Sequence, residues 1–329
     1  MTLNEFLSEW HNSVDRVLVH TSGSTGEPKP LWVEKRRMEA SARITCRFLG
    51  LHEGDTALLC MPLDYIAGKM MVVRALTCGL RLLSVEPSSH PLSTLTTQHP
   101  PITLVAMVPL QVYHTLQVAE ERERLRQVRH LIIGGGAIDQ ALEQELQAFP
   151  HAVWSTYGMT ETLSHIALRR LNGPERSDYY TPFEGVDVCL NAEGCLVINA
   201  PAVCVAPLTT NDRAVLHPDG RRFRILGRRD NVVCSGGLKL QIEEIERRLR
   251  PHIAVPFMMT KRRDPALGEA LVLLVADRDT DKYKTTCRSI LYKYERPREV
   301  ISVEHLPMTE TGKPARKQAE ELANRSAHR

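Results

Sequence analysis

Short apolar runs separated by helical patterns constrain this chain more than any other feature. The runs are Val17–Val19, Thr56–Cys60, Arg81–Val85, Ile102–Val108, His130–Ile133 and Ala152–Ser155. Between them, apolar spacing predicts helices over Lys35–Leu49, Ile66–Cys78, Leu110–Gln117 and Gln140–Ala148. A parallel strand pair needs a long crossover, and a covering helix supplies it. Strands spaced by helices therefore predict a parallel α/β sheet. Beyond Thr162 the pattern changes. Turn pairs such as Asn172-Gly173 and Asp219-Gly220 appear, and Thr181–Leu226 reads as a β-rich section, a small barrel or sheet.

A polar, basic stretch from Leu226 to Asn231 reads as a junction. After it come a helix over Gln241–Leu249, strands over Ala254–Met259 and Ala270–Val275, a helix over Asp281–Tyr294 and a strand over Glu299–His305. A loop over Pro307–Pro314 then leads to a last helix near Ala315–Asn324. That is enough for a small α+β domain of its own. The 329 residues accordingly divide into a large α/β domain with a β-rich section, 1–228, and a small mobile α+β domain, 229–329.

Composition removes several function classes. With 43% hydrophobic and 25% charged residues the chain is globular rather than disordered. Lys plus Arg is 42 and Asp plus Glu is 39, a balance too even to give a broad field for DNA or membrane. Aromatics at 5% argue against a stacking platform for single strands. Arg221, Arg222, Arg224, Arg228 and Arg229 crowd together, yet with so even a charge balance a solvated face explains them better than nucleic-acid binding. Glu5, Glu9 and Asp15 interrupt the amino-terminal stretch, which does not read as an export signal, and no apolar run is long enough to span a membrane. The eight cysteines form no CxxC pair. A cytoplasmic protein with reduced thiols is the expectation.

Five stretches carry chemistry. Thr21, Ser22, Gly23, Ser24, Thr25, Gly26 and Lys29 combine glycines, hydroxyls and a cation after an apolar strand, which suits a phosphate-cradling loop. The spacing is not that of GxxxxGK[ST], and the bland alternative is a flexible turn. Tyr157, Gly158, Thr160 and Glu161 set a ring, a hydroxyl and a carboxylate at a strand end, where α/β proteins bind ligands. A turn with a surface glutamate is the alternative. Gly134, Gly135, Gly136 and Ala137 follow another apolar strand and read equally as a tight turn. The stretch from Gly227 to Gly237 reads alone as a linker, and Lys313, on the Gly-hinged loop Thr309–Pro314, as a surface lysine.

In their order, these motifs resemble those of the adenylate-forming superfamily, which includes acyl-CoA synthetases. The resemblance runs from about Val17 to Lys317. Thr210-Asn-Asp212 stands where that family has Thr-Gly-Asp, and Asn211 is a mild departure, since Asn also tolerates left-handed dihedrals. A second departure is that the phosphate loop begins at Thr21, where the family has a far longer preceding segment. An amino-terminal subdomain is expected to be absent, and a second copy could cover apolar surface so exposed. Pro62–Met71 and Tyr157–Leu168 look most like one branch, the o-succinylbenzoate–CoA ligases of menaquinone synthesis.

The resemblance implies ATP-dependent activation of a carboxylic acid through an acyl-adenylate, with Mg²⁺ as cofactor and coenzyme A as co-substrate. It implies that Thr21–Lys29 hold the β- and γ-phosphates, Thr160 the α-phosphate and Glu161 the Mg²⁺. Gly134–Ala137 would admit the adenine beside Tyr157, and Asp212 and Arg228 would hold the nucleotide. Lys313 would bridge the two reacting anions. Asp230 would act as hinge, and Ser235, Gly236 and Gly237 would face the CoA channel. For the second carboxylate of an aryl diacid the candidates are His165, Lys69 and Arg74, each of which reads equally as a strand histidine or a solvated cation. Rival readings are a CoA ligase for a different acid and a homologue that binds nucleotide without catalysis.

Overall fold

The computed structural model describes residues 1–20, 30–96, 99–136, 138, 140–309 and 314–326. The chain divides into two compact units. One comprises Met1–Cys189, Val197–Leu208 and Leu216–Arg224; the other comprises Leu190–Leu196, Thr209–Val215 and Ile225–Arg329.

The first unit is built on a seven-stranded sheet. Its order is Arg81–Ser84, Thr56–Leu59, Leu104–Met107, His130–Ile133, Ala152–Gly158, His165–Arg170 and Thr181–Pro182. The first five strands are parallel, as the helical spacers predict; His165–Arg170 runs against them, and Thr181–Pro182 pairs antiparallel with it. Thr56–Leu59 and Leu104–Met107 are buried at every residue, as strands covered on both faces must be. Leu58, Val105, Met107, Leu131 and Val153 from the sheet pack with Val112, Leu116, Leu142 and Leu146 from helices Pro109–Gln117 and Gln140–Leu146.

One predicted strand lies elsewhere. Val17–Val19 belongs to Arg16–His20, which pairs antiparallel with Pro30–Glu34 in a separate two-stranded sheet, in register His20↔Pro30. An apolar run specifies a strand but not the partner it finds. Two helices also go beyond the sequence reading. Leu3–His11 starts with a reciprocal Thr2–Glu5 capping box and buries Phe6 and Trp10 one turn apart. Ala119–Arg126 buries only Glu121 and Leu125 and carries no apolar period.

The β-rich section is a four-stranded sheet in the order Asp187–Leu190, Cys195–Asn199, Leu208–Leu216 and Phe223–Arg228. In the second unit, Leu238–Gln241, Val232–Ser235, Gly268–Val275 and Phe257–Asp264 form a sheet, with Glu299–Ser302 parallel to Gly268–Val275. Alternation along Gly268–Val275 serves two cores. Leu271, Leu273 and Val275 pack with helix Ile242–Leu249, whereas Val272 and Leu274 pack with Ala319 and Ala323 of helix Arg316–Ser326. Among the described residues no helix is long and apolar enough to cross a membrane.

Candidate active site

Neighbouring parallel strands bring two of the sequence motifs to one edge of the sheet. His130–Ile133 ends at Gly134, and Ala152–Gly158 beside it carries Tyr157. A Cβ on Gly134 would stand 2.3 Å from Thr156 Oγ1, so a side chain there would have to displace that hydroxyl. Gly135 lies near Val108 and Gly136 near Pro109, at the end of the strand Leu104–Met107. Loops at the carboxyl ends of parallel strands are where such sheets bind ligands. Tyr157 packs edge-on to Phe223 at 5.1 Å and tilted to Tyr180 at 5.7 Å, in an aromatic cluster.

After Gly158 the chain makes a single 3-10 turn, Thr160–Thr162. The single Thr162 hydroxyl hydrogen has the carbonyls of Ser164, at 2.7 Å, and Met159, at 3.0 Å, within reach, and Oγ1 accepts from Met159 N–H. Leu163 closes the turn at φ 65, the one described non-glycine residue with positive φ. Backbone held in this region clusters at ligand-binding turns. Thr160 is buried, and Glu161 is exposed with a carboxylate that meets no other described side chain or N–H. The return strand His165–Arg170 passes so near that a Cβ on Gly158 would lie 2.2 Å from the Ser164 carbonyl oxygen and 2.5 Å from His165 Cα.

Behind this turn lies a buried polar cluster. Arg74, on helix Ile66–Cys78, is 1% exposed. Its Nη2 donates to Ser164 Oγ at 2.8 Å and Nη1 reaches Met71 Sδ at 3.7 Å, while Nε has no hydrogen-bond partner. No described carboxylate pairs with it. Burial lowers the guanidinium pKa to about 10, which leaves it charged at neutral pH. His165 Nδ1 lies 3.2 Å from Ser164 Oγ and Nε2 lies 3.1 Å from Thr45 Oγ1. Burial, and after it Arg74, push His165 well below the usual imidazole range, so it is neutral. Lys69 is also buried but elsewhere. Its Nζ donates to the Leu18 carbonyl at 2.9 Å and sits 3.6 Å from Glu9. The alternative of solvated cations at Lys69 and Arg74 is thus corrected: both side chains are enclosed, because helix Ile66–Cys78 is buried around most of its circumference.

In the second unit, Arg228 spans two carboxylates, with Nη1 3.4 Å from Asp212 and Nη2 3.3 Å from Asp230. Asp212 N–H donates to Thr210 Oγ1, whose hydroxyl reaches the Leu196 carbonyl. Gln241 Nε2 donates to the Arg228 carbonyl at 2.9 Å, and Arg228 N–H donates to Glu243 at 3.3 Å, which ties the junction to the strand and helix after it. Gly236 and Gly237 form the turn between Val232–Ser235 and Leu238–Gln241, with Ser235 paired to Leu238 at its base.

The sequence-assigned phosphate loop, Thr21–Lys29, together with Ala137 and Lys313, lies outside the described residues. Their flanks are described. His20 pairs with Pro30, Met308 bridges Pro314, and Ala315 N–H donates to the Pro307 carbonyl. Among the described residues no group of three or more His, Cys, Asp or Glu side chains could hold a metal ion. The residues missed from sequence are Ser164 and Thr45. Ser164 had a signal, its place directly before His165; Thr45 had none.

This sheet, with its ligand loops and the β-rich and α+β parts after it, has the fold of the adenylate-forming enzymes. A family model described as AMP-binding enzyme matches residues 13–202, and the chain belongs to that family. A solved acyl-CoA synthetase (AMP-forming)/AMP-acid ligase II-like protein from Dyadobacter fermentans is 34% identical, with a TM-score of 0.66 over 97% of this chain and 92% of that one. The 2-succinylbenzoate–CoA ligase of Bacillus mycoides is 26% identical over 93% of this chain and 69% of its own length. The o-succinylbenzoate coenzyme A synthetase of Bacillus subtilis, solved with ATP and magnesium, superposes with a TM-score of 0.76 at 22% identity, over 92% of this chain and 69% of that one.

Proposed function

We propose that this protein is an AMP-forming acid–CoA ligase that converts o-succinylbenzoate, through its acyl-adenylate, to o-succinylbenzoyl-CoA in menaquinone synthesis. The observation that carries this reading is Arg74. A buried guanidinium with no carboxylate partner is strongly unfavourable, and an incoming anion relieves it. A diacid supplies that anion with its second carboxylate, while its first reacts. The relative from Bacillus mycoides that bears this activity in its name supports the same substrate. His165, neutral and occupied on both nitrogens, and Lys69, tied to Leu18 and Glu9, serve this role less well.

In the first half-reaction the substrate carboxylate attacks the α-phosphorus of ATP and pyrophosphate leaves. Thr160 is assigned to the α-phosphate, Tyr157 with Gly134–Gly136 to the adenine, and Asp212 with Arg228 to the ribose. The exposed Glu161 carboxylate fits Mg²⁺, a hard ion commonly held by one or two carboxylates plus substrate phosphates. That ion supplies charge neutralisation at the phosphates. Thr21–Lys29 and Lys313 take the phosphate and bridging roles on sequence grounds alone. In the second half-reaction the CoA sulfur attacks the acyl carbonyl and AMP leaves. The segment 229–329 is assigned to a lid that turns at Asp230 between the two steps and offers Ser235–Gly237 to CoA. Use of ATP and CoA as substrates favours the cytoplasm as the place of reaction.

The test is pyrophosphate release from ATP and Mg²⁺ with o-succinylbenzoate, with and without CoA. Release that needs this acid, and a thioester once CoA is added, is the expected result. Release with a different acid alone keeps the ligase and discards the substrate. ATP binding with no release for any acid leaves a nucleotide-binding homologue.

A further inference from the structure

The hydrogen bonds behind Arg74 have only one direction that uses every hydrogen. Thr45 Oγ1 lies 3.1 Å from the Ser41 carbonyl, which can only accept. The single Thr45 hydrogen therefore goes to Ser41, and Thr45 Oγ1 accepts from His165 Nε2–H. Neutral His165 then has a bare Nδ1, which accepts from the Ser164 hydroxyl. The Ser164 oxygen, its hydrogen committed, presents a lone pair to Arg74 Nη2–H. Reversing the chain makes Nδ1–H donate to Ser164. The hydrogen of the half-buried Ser164 is then left with no acceptor among the described side chains and must turn outward, away from the cation it sits beside.

We infer that Thr45, His165 and Ser164 are positioning residues, a fixed relay that sets the tautomer of His165 and so aims Arg74 at the second carboxylate of a diacid substrate. This rests on the reading that Arg74 meets that carboxylate. It gives His165 a role different from direct contact with the acid. It also makes preference for a diacid over a monoacid depend on Thr45, which is three hydrogen bonds away from the guanidinium. A relay assembled before substrate arrives holds Arg74 in place with no counterion among the described residues, which lowers the ordering cost of binding.

The test compares o-succinylbenzoate with 4-oxo-4-phenylbutanoate, which lacks the ring carboxylate, by pyrophosphate release. Thr45→Val removes the acceptor for Nε2–H at nearly constant volume. The expected result is a KM for the diacid raised about tenfold, with kcat and the monoacid KM little changed, in line with losing one hydrogen bond to a charged group. Thr45→Ser restores the diacid KM. ¹⁵N-histidine spectra, with His165 assigned from His165→Gln, show Nε2–H in the wild-type protein and Nδ1–H in Thr45→Val. A diacid KM unmoved by Thr45→Val, an equal rise for both acids, or wild-type His165 protonated at Nδ1 overturns the relay. Arg74→Ala separates the two layers. If it leaves the diacid-to-monoacid ratio unchanged, the reading of Arg74 fails, while the spectra still decide the tautomer chain.

Discussion

At the scale of single residues, close approach governs the site. A Cβ at position 158 would meet backbone on two sides, at Ser164 and His165, and no rotamer can relieve that. Gly158→Ala is expected to destabilise the protein by about 2–4 kcal/mol, the upper range for overpacking, and to show as a lower urea midpoint. A wild-type midpoint would mean the turn has room to move. A second residue sets a pH limit. His130 has both ring nitrogens buried without a hydrogen-bond partner, and burial, aided by Arg129 and Arg170, lowers its pKa from 6.5 to about 4. The unfolded chain binds a proton below 6.5 that the folded chain refuses, so stability is level above that pH and falls from 6.5 toward 4. His165 acts in the same direction. Urea midpoints at pH 7.5 and 5 should differ, and His130→Gln should shrink the difference; an undiminished difference would assign the effect to other groups. Of the candidate site residues, Tyr157, Thr160, Glu161 and Asp212 could be proposed from sequence because their motifs are local. The contact between Thr45 and His165 spans 120 positions, and nothing in one sequence announces such a pairing.

Among elements, helices Lys35–Leu49 and Ile66–Cys78 match the sequence reading at both ends, because each runs straight into a glycine in the left-handed region. The helix Leu3–His11 was missed: its Thr2–Glu5 capping box is a sequence signal, but its short apolar content hid it. Arg16–His20 shows the opposite limit, since its apolar pattern is right and its partner is not deducible from it. The last helix is fixed by charge as well as by packing. Arg316 gives one Nη to each oxygen of Glu246, at 2.6 and 2.7 Å, and also donates to the Met259 carbonyl. Glu246 in turn accepts from Met259 N–H. One ion pair thus joins helix Ile242–Leu249, strand Phe257–Asp264 and helix Arg316–Ser326, three residues after Lys313. Arg316→Met leaves Glu246 buried and largely unpaired, and should cost about 3–5 kcal/mol by urea denaturation. Adding Glu246→Leu should recover a large part of it. If the double variant is no better than the single one, the pair's hydrogen bonds to Met259 matter more than its charge balance.

Over the whole molecule, alternation of strands and helices told the α/β part, turn pairs the β-rich part, and a polar junction the start of the α+β part. The strand Leu208–Leu216 shows why a linear reading could place only one boundary: Thr209–Val215 counts with the second unit although it precedes the junction by sequence. Arg228 sits at that junction with one face to Asp212 and the other to Asp230, and its backbone is held by Gln241 and Glu243. A turn at Asp230 therefore has to rotate one end of this network while the bonds to Gln241 and Glu243 hold the other. Fixing φ at position 230 restrains that rotation without removing any group assigned to ATP or acid. Asp230→Pro should accordingly slow conversion of the adenylate to thioester about tenfold or more and slow pyrophosphate release much less, as expected when a conformational step gates one half-reaction. Single-turnover measurements of the two steps decide it. Asp230→Asn serves as the companion, since it weakens the ion pair to Arg228 but leaves φ free. If both variants slow both steps alike, Asp230 matters through its charge and the proposal that it is a hinge fails.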